Sequence, residues 1–354
     1  MEGNAQHILH INLAKGWRGG EQQTWLLMRE LSKRGVRQFF LGRRRSPISL
    51  AATSLPGITV LSEWHFLYNK RALLPARLVV HAHEARAVQV AWWLKQRYGY
   101  PYVITRRMQT PPKPRPLTLR AYRGAAAHIG ISRAACLSIK SYLADSDPLL
   151  ISSVHSNPEH DTEKSQQIRV KLIGQQKYLI GHAGALVDRH KGQSLFIRTV
   201  IELQNRGVPI AGILMGEGPD RDSLEALASG TPDLRFLGQI EDIHNHLGAL
   251  DAFVFPSFYE GLGSVLLEVM MCNVPVVASS AGGIPDLVTH ESTGLLVPPG
   301  DQKALVAAVK RVLEDRHLAN SIAANAFNMA KGKSPSVMTD NYEMLYKKVA
   351  VPSR

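Results

Sequence analysis

Between Phe253 and Gly283 the chain reads FVFPSFYEGLGSVLLEVMMCNVPVVASSAGG. An apolar run ending at Pro256 predicts a strand, and the pattern from near Ser264 predicts a helix that contains Glu268. Glu260, Gly261, Leu262 and Gly263 fill the loop between them. Glycines, lacking a Cβ, let backbone amides approach a ligand closely. A helix starting at Ser264 and Val265 adds free N–H groups that suit phosphate. Glu260 and Glu268 cannot hold phosphate, but they accept hydrogen bonds from hydroxyls. A phosphorylated sugar fits that combination; so does a glycine-rich turn with two solvated glutamates.

A second group follows the predicted strand Tyr178–His182. In GALVDRHKGQ, Arg189 and Lys191 lie just beyond a strand end, with Gly184 and Gly192 bracketing them. Such cations either neutralise a phosphate or are ordinary surface charges. Two Asp-x-Asp pairs, Asp145/Asp147 and Asp220/Asp222, raise the question of a metal-held diphosphate. Asp220 and Asp222 follow Gly216–Pro219 and also suit a helix start, where acids favour the dipole. The third glycine of a dinucleotide fingerprint is missing at both Gly216-Glu217-Gly218 and Gly261-Leu262-Gly263. No P-loop pattern occurs.

These loops need elements to hold them, and the chain supplies them twice. Strand-like runs recur in both halves, with helical periodicity between them at Glu21–Arg34, Ala85–Tyr98 and Arg133–Leu143, and again around 193–206, 219–229, 264–272 and 301–315. Alternating strands and helices imply parallel sheets covered on both faces. Ligands of such sheets sit beyond the carboxyl ends of the strands. The polar stretch Ser152–Gln166 reads as a linker. We therefore expect an α/β protein: one domain over 1–165, a second over 166–335, and a final helix at 336–354 packing back toward the first domain.

With 354 residues, 45% of them hydrophobic, the chain can bury two cores. No apolar run reaches the length of a membrane-spanning helix, and no signal peptide is evident. Two cysteines are too few for a disulfide scaffold. The formal charge of +13 is uneven. Residues 1–165 hold 24 Lys and Arg against 10 Asp and Glu, whereas the remainder is nearly neutral. An anionic partner for the first domain is the natural reading: nucleic acid, an acidic membrane or a phosphorylated substrate.

The Glu-x7-Glu spacing of Glu260 and Glu268 in PSFYEGLGSVLLE resembles the signature of family-4 glycosyltransferases of the GT-B fold. GALVDRHKGQ, MGEGPD, RFLGQI, CNVPVVASSAGGIPDLV and TGLLVPPGD follow the family's order and spacing, across nearly all of residues 178–315. In the first half, GGEQ (19–22) resembles the family's glycine loop, VVHAHEA (79–85) its histidine-bearing strand end, and IGIS (129–132) the strand before the helix leading to the crossover. His155-Ser156-Asn157-Pro158-Glu159 departs from the Asn-Gly-Val-Asp turn of many relatives.

The resemblance implies GT-B architecture, two Rossmann-like domains facing across a cleft. It implies retaining transfer of a sugar from a UDP- or GDP-linked donor, with no cofactor and no metal. By the same carry-over, Lys191 and Arg189 hold the diphosphate with the amides of Gly263 and Ser264. Glu268 holds the ribose and Glu260 the moving sugar. Leu237 and Ile240 of RFLGQI flank the base. His83 sits near the transferring centre, and Gly19 and Gly20 let the first helix approach the diphosphate. Gly184, Gly216, Gly261, Leu262 and Val265 complete the donor site.

The acceptor side carries the basic half, including Arg43-Arg44-Arg45, Lys70-Arg71, Arg106-Arg107 and Lys113/Arg115. Trp64, Phe66, Leu67 and Tyr68 precede Lys70. We expect an anionic lipid-linked or saccharide acceptor, as in lipopolysaccharide synthesis. We also expect a cytoplasmic enzyme, peripheral on the inner face of the membrane, and no nucleic acid. A sugar-nucleotide epimerase of the same fold and a basic nucleic-acid-binding protein are the alternatives.

Overall fold

The computed structural model describes residues 7–62 and 74–350. The chain divides into two units, one running to Val154 and resuming at Pro335, the other from His155 to Ser334. Trp64, Phe66, Leu67, Tyr68, Lys70 and Arg71 lie outside the described residues.

In the first unit the described strands are β1 (His7–Asn12), β2 (Gln38–Gly42), β3 (Ile58–Ser62), β4 (Leu78–Ala82), β5 (Tyr102–Arg106), β6 (Ala127–Gly130) and β7 (Leu149–Leu150). All pair in parallel, in the order β3-β2-β1-β4-β5-β6-β7. In the second unit β8 (Tyr178–Ala183), β9 (Ile210–Met215), β10 (Leu234–Gly238), β11 (Ala252–Phe255), β12 (Val276–Ser279) and β13 (Leu295–Val297) form a parallel sheet ordered β10-β9-β8-β11-β12-β13. Residues of β4, β5, β9 and β11 are buried throughout. That is what helices on both faces of a parallel sheet require, and why these strands read as unbroken apolar runs. The strand order reverses between β1 and β4 in one sheet and between β8 and β11 in the other. Crevices for ligands open at such switch points.

The unit boundary lies at Val154–His155, upstream of the expected break at 165/166. Hydrogen bonding explains the difference. Ser156 bonds Glu268, and the Asp161 amide donates to Asn245 Oδ1 at 2.6 Å, so this polar stretch belongs to the second unit. Its end is also not a linker: Asp161 caps a helix over Thr162–Ile173 by accepting from the Glu163 and Lys164 amides.

The last helix, Pro335–Ala350, joins the first unit. Met338, Tyr342, Leu345 and Tyr346 bury themselves against Ile8, Leu27 and Val79. Arg34, at the end of the helix Gly19–Lys33, bonds Asp340 at 2.6 Å and Glu343 at 2.8 Å. The first unit's core is therefore completed by residues from the far end of the chain. No helix among the described residues is long and apolar enough to cross a membrane.

Candidate functional site

In the second unit the loops beyond β8, β9 and β11 are locked together through their backbones. Gly192 has φ +67°, and a Cβ there would overlap the Pro256 carbonyl oxygen. His190 O accepts from the amides of Phe258 and Tyr259 at 2.9 and 3.1 Å. Gly216 has φ +134°, and a side chain on it would collide with the Gly184 carbonyl. Its amide donates to Gly238 O at 2.7 Å, tying β9 to the end of β10, where Leu237 and Ile240 are half-buried. The glycines legible as spacing are thus close backbone approaches that only glycine allows.

That stitching brings Lys191 and Glu260 together, Nζ against Oε2, with their side chains 23% and 15% exposed. Arg189, three residues into the same turn, is exposed and lies outside that pair. Beyond Glu260, Leu262 is 2% exposed, so its side chain anchors the loop. Gly263 has φ +83°. The amides of Gly263, Ser264 and Val265 have no hydrogen-bond partner among the described residues. The helix that follows, Val265–Met271, is short. Its free amides, more than any long dipole, make the anion-attracting feature.

Glu268 is fully engaged. Oε1 accepts from the Ser156 amide at 2.9 Å, and Oε2 from the Ser156 hydroxyl at 2.9 Å and His244 Nε2 at 3.1 Å. It holds hydroxyl-type donors already, which is the chemistry a ribose diol offers. Asp220 is spent structurally, accepting from the Asp188 amide at 2.7 Å.

In the first unit His83 lies just past β4 and is 2% exposed. Its Nε2 is 2.9 Å from His10 Nδ1, and its ring lies against that of His81, centroids 3.7 Å apart and tilted by 32°. Gln38, two positions away on the same sheet face, donates its amide nitrogen to Met28 O at 3.0 Å, while its Oε1 and His10 Nε2 are both buried without a partner. The remaining Nδ1 of His83 is likewise buried without a partner. A neutral imidazole nitrogen there pairs with a hydroxyl, which both donates and accepts.

Burial pushes His10 down to about 3 and holds His81 and His83 well below the usual histidine range, with neighbouring histidines and Arg107 adding repulsion. All three are neutral at pH 7. Together they form the one group of three possible metal ligands among the described residues. The His10–His83 contact shares a proton between its nitrogens. His81 spends its own on Tyr346 Oη at 2.6 Å and Thr105 Oγ1 at 2.7 Å. The arrangement is a hydrogen-bonded stack.

Two expectations about charge change. Arg106 is buried, bonding Ser138 Oγ at 3.0 Å, Tyr122 Oη at 3.3 Å and the Thr110 carbonyl. Arg107 turns into the wall of a pocket beside Gly20. Neither sits on an outer surface. Sequence reasoning missed His10, Gln38, Ser156 and His244. A histidine inside the apolar strand HILHINL was the available signal for His10, because a buried polar group demands a partner.

Residues 177–315 match the family described as Glycosyl transferases group 1. The lipopolysaccharide core biosynthesis glycosyltransferase LpsD of Rhizobium meliloti is 35% identical over 173 residues, covering 48% of this chain and 49% of the relative. The core mannosyltransferase LpsB of the same organism is 32% identical over 200 residues, covering 52% and 56%. The chain spans about half the length of these relatives. Among solved structures, Anabaena HepE in complex with UDP and glucose superposes with a TM-score of 0.83 at 19% identity, over 97% of this chain and all of that one. The outer core galactosyltransferase WaaB superposes at 0.72. The two parallel-sheet units expected from the alternation are the fold of these proteins.

Proposed function

Residues 177–315 are a group 1 glycosyltransferase domain within a chain of GT-B fold, and from that premise we propose that the protein is a retaining glycosyltransferase. It takes a UDP- or GDP-linked sugar and transfers it to a lipid-linked or saccharide acceptor in cell-envelope glycan synthesis. The observation that carries the reading is the Lys191–Glu260 pair beside the unpaired amides of Gly263 and Ser264. Lys191 neutralises the departing diphosphate, the amides donate to its oxygens, and Glu260 passes from Lys191 to a hydroxyl of the moving sugar. Groups aimed at charge that grows in the transition state accelerate the reaction most. Glu268 holds the ribose, and His83 hydrogen-bonds a sugar hydroxyl at Nδ1. The solved HepE structures with UDP favour uridine over guanosine.

UDP and GDP should be compared by thermal shift, since a ligand bound only by the folded state raises the melting temperature. We expect a UDP-dependent rise that excess EDTA leaves unchanged. Its absence with both nucleotides overturns the donor reading, and loss with EDTA restored by Mg²⁺ overturns metal independence.

The same proposal places the enzyme at a membrane face. Arg44, Arg45, Lys113, Arg115, Arg120 and Arg123 are exposed on the first unit, and each cation near an anionic bilayer contributes about 1 kcal/mol. Sedimentation with anionic vesicles should be strong at low salt and fall as salt rises. Equal, negligible binding to anionic and neutral vesicles rejects docking.

A further inference from the structure

The first unit has an open pocket of about 630 Å³ at the carboxyl ends of β1, β4 and β5, into which His83 faces. Its walls carry Lys15, Arg18, Arg86 and Arg107, and two acids, Glu21 and Glu84. Both acids are committed to neutral donors. Glu84 caps the helix Ala85–Tyr98, accepting from the Arg86 and Ala87 amides at 2.8 Å each. Glu21 accepts from the Arg18 amide at 3.1 Å and from Asn12 Nδ2 at 3.5 Å. The two carboxylates keep their charge, and the cations of the lining outnumber them.

Arg107 is the informative member. Its neighbour Arg106 has each guanidinium nitrogen bonded to a neutral acceptor. Arg107 Nε, in contrast, is buried without a partner, while the residue keeps part of its surface open to the pocket. The nearby Tyr342 hydroxyl is held neutral by burial, leaving Glu21 as the carboxylate whose charge reaches it. Gly20 makes room: a Cβ there would stand 3.3 Å from Arg107 Cδ. The helix Gly19–Lys33 therefore directs its free first-turn amides to the same place. A buried guanidinium nitrogen without a hydrogen-bond partner is costly, and a ligand oxygen that accepts from it removes that cost.

We propose that this pocket is a phosphate subsite for the acceptor: Arg107 receives a phosphate group while His83 Nδ1, buried without a partner, hydrogen-bonds a hydroxyl of the same molecule. The substrate class is a sugar, free or lipid-linked, that carries phosphate close to its reacting hydroxyl. Guanidinium suits this task because its planar fork meets two phosphate oxygens at once. The inference rests on the transferase reading for the word acceptor; the anion subsite itself does not.

The test uses the full chain saturated with UDP, with inorganic phosphate, glucose 6-phosphate and glucose as probes, each against sodium chloride of equal ionic strength. Wild type should be stabilised by both phosphates beyond the salt control and not by glucose. Arg107→Met should weaken the phosphate response at least tenfold, Arg107→Lys should keep part of it, and Lys191→Ala should leave it intact. Unliganded Arg107→Met should melt at or above wild type, because a buried nitrogen without a hydrogen-bond partner has been removed; a structural arginine would do the reverse. UDP affinity of Arg107→Met should stay within about twofold of wild type. No phosphate response in wild type, an equal response in Arg107→Met, or a parallel loss of UDP binding that marks Arg107 as a donor-diphosphate ligand would each overturn the proposal. Failure of UDP to bind wild type instead strikes the donor reading, and the phosphate arms, run without it, still decide the subsite.

Discussion

Replacing Lys191 with alanine will lower turnover by roughly a hundredfold or more, a barrier increase on the order of 3 kcal/mol, while the fold survives. The side chain is partly exposed and pairs with Glu260, so its removal opens no cavity in the core. The readout is UDP release from the sugar nucleotide, with circular dichroism as the folding control. A double-mutant cycle with Glu260→Ala adds a specific expectation. The two effects should be non-additive, because each residue positions the other before substrate arrives. Glu268→Ala gives the contrast: it should weaken nucleotide binding more than turnover, since its proposed partner does not react. Near-native turnover in folded Lys191→Ala removes the assignment of the diphosphate site.

Acidification is expected to unfold the protein well before its carboxylates titrate. Burial holds His10 down to about 3 and His182 down to about 4, and keeps His81 and His83 well below their usual value. In the unfolded chain all four return to about 6.5. Between those values the unfolded state binds more protons, so stability is complete above about pH 6.5 and is lost as pH falls through the window. Each histidine contributes a slope of up to about 1.4 kcal/mol per pH unit. Set against a typical total of about 5–15 kcal/mol, four such slopes are decisive within one or two units. Melting temperature should fall steeply from pH 6.5 to 5. His182→Leu, placed among Phe196, Phe253 and Phe255, should flatten the curve. A profile level to pH 5 in wild type would show that these imidazoles are not held neutral.

Much of this architecture was legible before any coordinates. Unbroken apolar runs such as Leu78–Ala82 and Ile210–Met215 announce strands buried on both faces, and the helical periods between them force parallel pairing. Glu260, Lys191 and the glycines around them were legible as well, because their chemistry is local: a loop between a strand and a helix can be read from neighbours in sequence. Short elements escaped notice. Pro47–Ala52 and the two-residue strand Leu149–Leu150 are too brief for a periodic signal.

What the sequence by itself determined is the alternation of elements, the strand-end loops and the residue types placed on them. What only the tertiary structure decided is which groups lack partners and which are already spent. Glu268 proved engaged by Ser156, and of the adjacent arginines Arg106 is bonded at Nε to Ser138 whereas Arg107 Nε has no partner. His83 meets His10, a residue on another strand. Even the first unit's core waits for Tyr342 and Tyr346 from the last helix. The reason is physical: periodicity and spacing are properties of neighbours along the chain, whereas hydrogen-bond satisfaction and the burial of charge depend on groups that only folding brings within about 3 Å.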